Sequence, residues 1–274
     1  MRVALCQIPV SSKPDVNSGR VRAAMLEAAD KGADLAIFPE ATQIRFGSDL
    51  RAAAEPLDGP FCAGLAGTAK DTGVALVAGV FEPAPDGRVY NTAVAYDGAG
   101  ELVAWYRKLH LFDAFGHRES DQVAPGSAPV ICSLAGLRTG LEICYDVRFG
   151  ELSRALAVAG ALLLVLPAAW AAGPFKEDHW VTLVRTRAIE NTVWVAAVGQ
   201  VPDRDEPFTR AATGIGRSML VDPLGVVRAD LGPAPAVAVA EVDPGLIGTV
   251  RATVPSLDNR REDIFGKPVA IPES

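Results

Sequence analysis

The chain is short of histidine, of methionine and of net positive charge. Its only histidines are His110, His117 and His179, and none forms a local signature with a cysteine. His179 beside Glu177 and Asp178 has no second histidine at ligand spacing, which disfavours a metal hydrolase. The four cysteines, Cys6, Cys62, Cys132 and Cys144, include no CxxC pair, which disfavours zinc ribbons and disulfide frameworks. With 26 basic against 33 acidic side chains the formal charge is −7, the wrong sign for a nucleic-acid footprint. Long apolar runs are also missing. Ala155–Ala172 carries no charge, but Gly160 and Pro167 divide it into a helical piece and a buried strand, so no membrane span is expected. Gly214-Ile215-Gly216 lacks the third glycine, the helix context and the acidic residue of a dinucleotide-binding turn. No linker, internal repeat or low-complexity block breaks the chain.

What is present suits one globular domain spanning residues 1–274. At 274 residues folding can bury roughly 70–75% of the surface without disulfides. Met1–Val10 has one arginine and no small-residue cleavage site, so it reads as a first strand and not a leader, and the cytoplasm is the expected compartment. Short apolar strands are expected at Val3–Ile8, Asp34–Phe38, Val74–Phe81, Ala161–Leu166, Val193–Val198 and Val237–Val242. Helical spacing marks Val16–Lys31, Ala63–Asp71, Glu151–Ala159 and Lys176–Asn191. Hairpins are expected around Asp97-Gly98-Ala99-Gly100 and Pro223-Leu224-Gly225, and Pro129–Ser133 and Thr139–Ile143 read as strands around Gly136. Strand, helix and strand over the first ~35 residues form a crossover unit, so strands one and two should be parallel. Leu109–Pro129 is polar and aperiodic, a length of loop that is usually functional. The alternation of strands and helices predicts mixed sheets covered by helices. From Asp243 onward no clear pattern is visible.

Three segments put a reactive side chain just after a strand: Ile37-Phe38-Pro39-Glu40, Tyr106-Arg107-Lys108-Leu109-His110, and Gly140-Leu141-Glu142-Ile143-Cys144-Tyr145-Asp146-Val147-Arg148-Phe149. Strand ends in α/β folds are where sites assemble. Taken singly, each has a plain explanation: a packed core thiol, a solvated carboxylate, a surface cation. Together they supply a nucleophile, a base and a cation. With no histidine paired to a cysteine, a carboxylate base and a lysine can do the same work, the lysine lowering the thiol pKa.

These segments resemble the signatures of the nitrilase superfamily of carbon–nitrogen hydrolases. Arg187-Ala188-Ile189-Glu190-Asn191, Gly216–Gly225 and Arg251–Phe265 resemble it too, so the likeness runs through most of the chain. The resemblance implies a four-layer αββα sandwich, of α/β (α+β) class, with two stacked mixed β-sheets flanked by helices. It also implies a homodimer or higher homo-oligomer, with residues 243–274 as a tail in oligomer contacts. By motif position Glu40 resembles the general base, Lys108 the catalytic lysine and Cys144 the nucleophile. Glu119, in His117-Arg118-Glu119-Ser120, matches a second glutamate that positions the lysine or the substrate. The Tyr145 N–H would complete an oxyanion hole with Lys108. One departure stands out: Gly150 occupies a position where the family commonly has proline, which should loosen the first turn of the following helix.

Within the superfamily, Tyr145-Asp146 in place of Trp-Glu points away from nitriles and towards amides. Leu111-Phe112-Asp113 looks more like the omega-amidases than the carbamoyl hydrolases. The resemblance therefore implies cysteine-dependent hydrolysis of a small linear amide to an acid and ammonia, with no cofactor, metal, nucleic acid or membrane involved. An N-carbamoyl amidohydrolase is the alternative, and a catalytically silent binding scaffold is a second alternative of another class. Arg148, Trp170 and His179, after the nucleophile strand or its neighbour, are candidate substrate contacts.

Overall fold

The computed structural model describes residues 1–264 apart from 208 and 210. In chain order the elements begin with β1 (Arg2–Gln7), α1 (Pro14–Asp30), β2 (Leu35–Ile37), α2 (Leu50–Ala53), α3 (Pro60–Thr72), β3 (Ala75–Pro83), β4 (Val89–Tyr96) and β5 (Leu102–Arg107). A 3₁₀ turn at Glu119–Asp121 precedes β6 (Val123–Ala124), β7 (Val130–Leu134) and β8 (Leu137–Leu141). A second 3₁₀ turn, Cys144–Arg148, runs into α4 (Gly150–Val158). There follow β9 (Leu163–Ala168), α5 (Lys176–Asn191), β10 (Trp194–Gly199), β11 (Met219–Val221), β12 (Val227–Asp230), β13 (Ala236–Glu241) and α6 (Pro244–Thr253).

Two mixed sheets result. The first has the order β13-β1-β2-β3-β4-β5, with β6 beside β4; the second has β12-β11-β10-β9-β8-β7. Three parallel strands form the heart of each: β1, β2 and β3 in one, β8, β9 and β10 in the other. The edge strands β13, β5, β12 and β7 pair antiparallel, with hairpins at β4–β5 and β7–β8, while β6 lies parallel to β4. The first crossover is parallel as the sequence predicts.

Alternation along β1 shows why the layers stack. Val3 and Leu5 join the core between the sheets, where Leu163, Val165 and Val195 answer them. Ala4, Cys6 and Ile8 point the other way, into a second core with Val21, Met25 and Leu65 of the covering helices α1 and α3. A strand buried on both faces has no polar side, hence its unbroken apolar run. On the far side α4 and α5 cover the second sheet, with Leu152, Leu156, Trp180 and Val184 buried. This is the four-layer sandwich expected from the sequence.

The apolar stretch Ala155–Ala172 divides as expected into the end of α4, a turn at Gly160 (φ +97°) and β9. Among the described residues, no helix is long and apolar enough to cross a membrane. Two points differ from the sequence reading. The stretch directly after Asp243 forms a helix: Asp243 caps α6 by accepting from Gly245 N–H at 2.8 Å, and Ile247 and Val250 enter the core of this same chain. Residues 265–274 of that tail, including the end of the Arg251–Phe265 segment, lie outside the described residues. Gly150 does more than loosen a turn. A Cβ there would lie 2.5 Å from the Arg187 guanidinium, which reaches across to hold the Val147 carbonyl at 2.8 Å. Glycine makes room for the arginine that ties α5 to the Cys144 turn.

Candidate active site

The parallel strands of the two sheets end at one crevice. Beyond β2 the chain turns at Phe38-Pro39-Glu40, and Ala41 takes φ +55°. That turn lies against β3 so closely that a Cβ on Gly79 would sit 2.4 Å from Ala41 N and 2.8 Å from Glu40 Cα. Backbone atoms cannot yield as a side chain can. Gly79→Ala is therefore expected to cost about 1–3 kcal/mol, seen as a fall in melting temperature, and to lower turnover by displacing Glu40. Unchanged melting and unchanged activity would contradict this reading of the turn.

Glu40 is 1% exposed, yet each oxygen is paired. Oε2 accepts from the Ala169 N–H, just beyond β9, at 2.8 Å. Oε1 accepts from Lys108 Nζ at 2.9 Å and from Asn91 Nδ2 at 2.8 Å. Lys108 follows β5 and is 2% exposed. Its ammonium also donates to Glu119 Oε2 at 2.8 Å. Glu119, from the 3₁₀ turn of the long loop, accepts further from the Phe112 N–H at 2.7 Å and from Asn91 Nδ2 at 3.1 Å. One ammonium thus sits between two carboxylates, and one amide side chain braces both. Burial alone would pull the Lys108 pKa down, but Glu119 and Glu40 outweigh it and lift it well above the ordinary lysine value.

Cys144 opens the 3₁₀ turn after β8 with φ +48°, a strained conformation for a residue with a Cβ. Asp146 holds that turn. Its fully buried carboxylate accepts from Ile143 N–H at 2.9 Å, His110 N–H at 3.0 Å and Tyr106 Oη–H at 2.8 Å. The Cys144 thiol lines the same cavity as Glu40 and Lys108, and both act on its charge. Its pKa moves opposite to the expectation from Lys108 alone. Burial and Glu40 raise it well above the ordinary thiol value, and the lowering by Lys108 is the weaker effect. The resting sulfur therefore holds its proton, and Glu40 is placed to receive it.

Glu142, two residues before the cysteine, is also buried. Burial pushes its carboxyl pKa up to about 8, with Asp146 adding to the rise, although Ser153 Oγ donates to it at 2.5 Å. The folded state thus keeps this proton to higher pH than the unfolded chain, and stability is lost as pH rises from about 4.5 to about 8. Glu142→Gln is expected to remove that loss, on the order of 5 kcal/mol in favour of the variant at pH 9. Thermal melts at pH 5 and pH 9 check it; equal pH slopes for variant and parent would contradict it.

Glu40, Lys108, Glu119, Cys144, Tyr145 and Trp170 all line one cavity of about 200 Å³. The structure thus brings together every residue of the sequence-predicted centre. It separates the three candidate substrate contacts: Trp170 is in the wall, whereas Arg148 and His179 stand outside the lining. Arg148 stacks on the Trp170 ring at 4.9 Å and meets His179 Nδ1 at 3.4 Å. Sequence reasoning missed Asn91, Asp146 as an anchor, and Lys176, whose side chain also lines the cavity. Asn91 did leave a signal: it is a polar side chain in the middle of the apolar strand β4.

Comparison with known proteins shows what the chain is similar to. The carbon-nitrogen hydrolase family model matches residues 2–252. The deaminated glutathione amidase of Escherichia coli O157:H7 is 38% identical over 266 residues, covering 95% of this chain and 97% of the relative. The human omega-amidase is 33% identical over 272 residues, covering 96% of each. A glutamate-to-glutamine variant of the amidase from Nesterenkonia sp. AN1 superposes with a TM-score of 0.80, 27% identity, and coverage of 96% and 95%. That structure shows covalent addition of the acetamide moiety of fluoroacetamide at its active-site cysteine.

Proposed function

The chain belongs to the carbon–nitrogen hydrolase family, and from that premise we propose that it hydrolyses the C–N bond of a small linear amide through a thioester on Cys144. The observation that carries this reading is the Lys108 ammonium gripped by Glu40 and Glu119 in the cavity that holds the Cys144 thiol. Glu40 takes the thiol proton as sulfur attacks the amide carbon. The Lys108 ammonium, with the Tyr145 N–H, holds the oxygen on which charge develops. Glu40 returns the proton to the leaving nitrogen, ammonia departs, and a thioester remains. Glu40 then takes a proton from water, the hydroxyl displaces sulfur, and the acid and the free thiol are regenerated. Glu119 and Asn91 act as positioning residues that fix Lys108 and Glu40.

A cavity of about 200 Å³ falls below the ~300–1,000 Å³ usual for drug-sized ligands, in keeping with a small substrate. The four thiols are free, which accords with a reducing compartment, the cytoplasm. A homodimer or higher homo-oligomer completes the proposal, to be read by light scattering on the eluting protein. The chemistry is tested by scoring ammonia from a panel of linear amides, N-carbamoyl compounds and nitriles. Amides are expected to lead. Carbon dioxide released with ammonia would favour the carbamoyl alternative, and no ammonia from any member would sink the hydrolase reading.

A further inference from the structure

The base and the nucleophile ride on different sheets. Glu40 follows β2 and Lys108 follows β5, both of the first sheet, whereas Cys144 follows β8 of the second. The core between the sheets is apolar, and apolar burial is non-directional, so it fixes no exact spacing. Proton transfer needs the base within hydrogen-bond reach. Directed bonds across the gap have to supply that precision.

Two such bonds hold Glu40 from the second sheet. One runs from the Ala169 N–H to the carboxylate. The other reaches the main chain: Gln200, the residue after β10, donates from Nε2 to the Glu40 carbonyl at 2.5 Å. Among the described residues, no backbone N–H bonds that carbonyl. Gln200 is fully buried and its own backbone is pinned, its N–H donating to the Ala168 carbonyl at 2.9 Å and its carbonyl accepting from the Gly216 N–H at 2.7 Å.

The amide is kept at a cost. Its Oε1 is buried without a hydrogen-bond partner, forfeiting the bonds to water that it makes in the unfolded chain. Turning the amide over would bring that oxygen against the Glu40 carbonyl oxygen, two acceptors face to face. An apolar side chain of equal length would carry no bare oxygen. What glutamine gives in return is the donor on Glu40. The two ties also differ in kind. Whenever Glu40 takes a proton its carboxyl becomes neutral, and the bonds from Ala169 and Lys108 lose their charge assistance. The bond from Gln200 falls on a peptide carbonyl and keeps its strength in either state.

We propose that Gln200 is a positioning residue: it ties the backbone of the base to the sheet of the nucleophile and keeps Glu40 aimed at Cys144 while the carboxyl is protonated. Gln200 does not line the cavity. This role rests on the amide-hydrolase reading for what Glu40 does, and adds how the second sheet holds it.

The test uses Gln200→Met, which keeps the length and loses the donor, and Gln200→Asn, which keeps the amide and falls short by one methylene. Each is made in the parent and in a Glu40→Gln background. The probe is methyl vinyl ketone, a small electrophile without an amide, and its addition to Cys144 is timed by intact mass. A misplacement of about 1 Å can cost about a hundredfold, so in the parent background both substitutions should slow addition about ten- to a hundredfold. On the panel amide that the parent turns over fastest, kcat should fall alike with KM within about twofold. In the Glu40→Gln background, where no base is left to aim, addition should change by less than about twofold; a merely structural residue would slow both backgrounds equally. Melting temperatures within a few degrees of each parent separate this loss from unfolding. Addition slowed in the parent background alone, with no ammonia from any amide, would uphold the tie and sink the hydrolase reading. Addition at the parent rate in both variants, or equal slowing with and without Glu40, would overturn the assignment of Gln200.

Discussion

Cys144→Ala is expected to lower ammonia release by at least about a thousandfold while the fold stays intact. A thousandfold corresponds to about 4 kcal/mol of barrier. The physical reason is that no other side chain in the cavity can take over the covalent step. Glu40, Glu119 and Lys108 are committed to one another, and the other three thiols lie elsewhere. Removing one sulfur from a φ +48° turn held by Asp146 should hardly disturb the surroundings. Thermal melting within a few degrees of the parent would establish that the loss is chemical. Residual turnover above about a thousandth of the parent rate would reject the nucleophile assignment.

Lys108→Met should show the largest loss of stability. The ammonium is 2% exposed and is the shared partner of Glu40 and Glu119. Without it two carboxylates face each other across Asn91 in a dry site. Breaking a buried pair typically costs about 3–5 kcal/mol, which in a chain of this size is roughly a 10 °C fall in melting temperature. A variant as stable as the parent would contradict the ion triad. Ammonia release should vanish with it, because the cation that meets the oxyanion is gone.

Glu40, Lys108 and Cys144 were legible in the sequence because each follows a short apolar strand within a specific run of neighbours. The strands themselves were legible for a related reason: burial on both faces leaves continuous apolar runs such as those of β1 and β9. What could not be read was convergence. Asn91 meets Glu40 and Glu119 only because β4 lies beside β3 in the same sheet, a pairing across many residues. The net direction of the Cys144 pKa was misjudged for the same reason, since burial and Glu40 act through space and outweigh Lys108. Helix α6 has an Asp-Pro start, but Gly245 and Gly248 dilute its apolar period and mask the Leu246, Ile247 and Val250 spacing. Lys176 reads as an ordinary helix start, and the rings of Phe112 and Phe115 beside it come from a loop some sixty residues earlier.

The most direct test of the whole account is the intact mass of the protein quenched during turnover of a slowly hydrolysed amide. A gain equal to the acyl group less one hydrogen, mapped to Cys144 and absent from Cys144→Ala, is the predicted result. Steady ammonia release with the mass unchanged throughout, or an acyl group carried on any other residue, would contradict it.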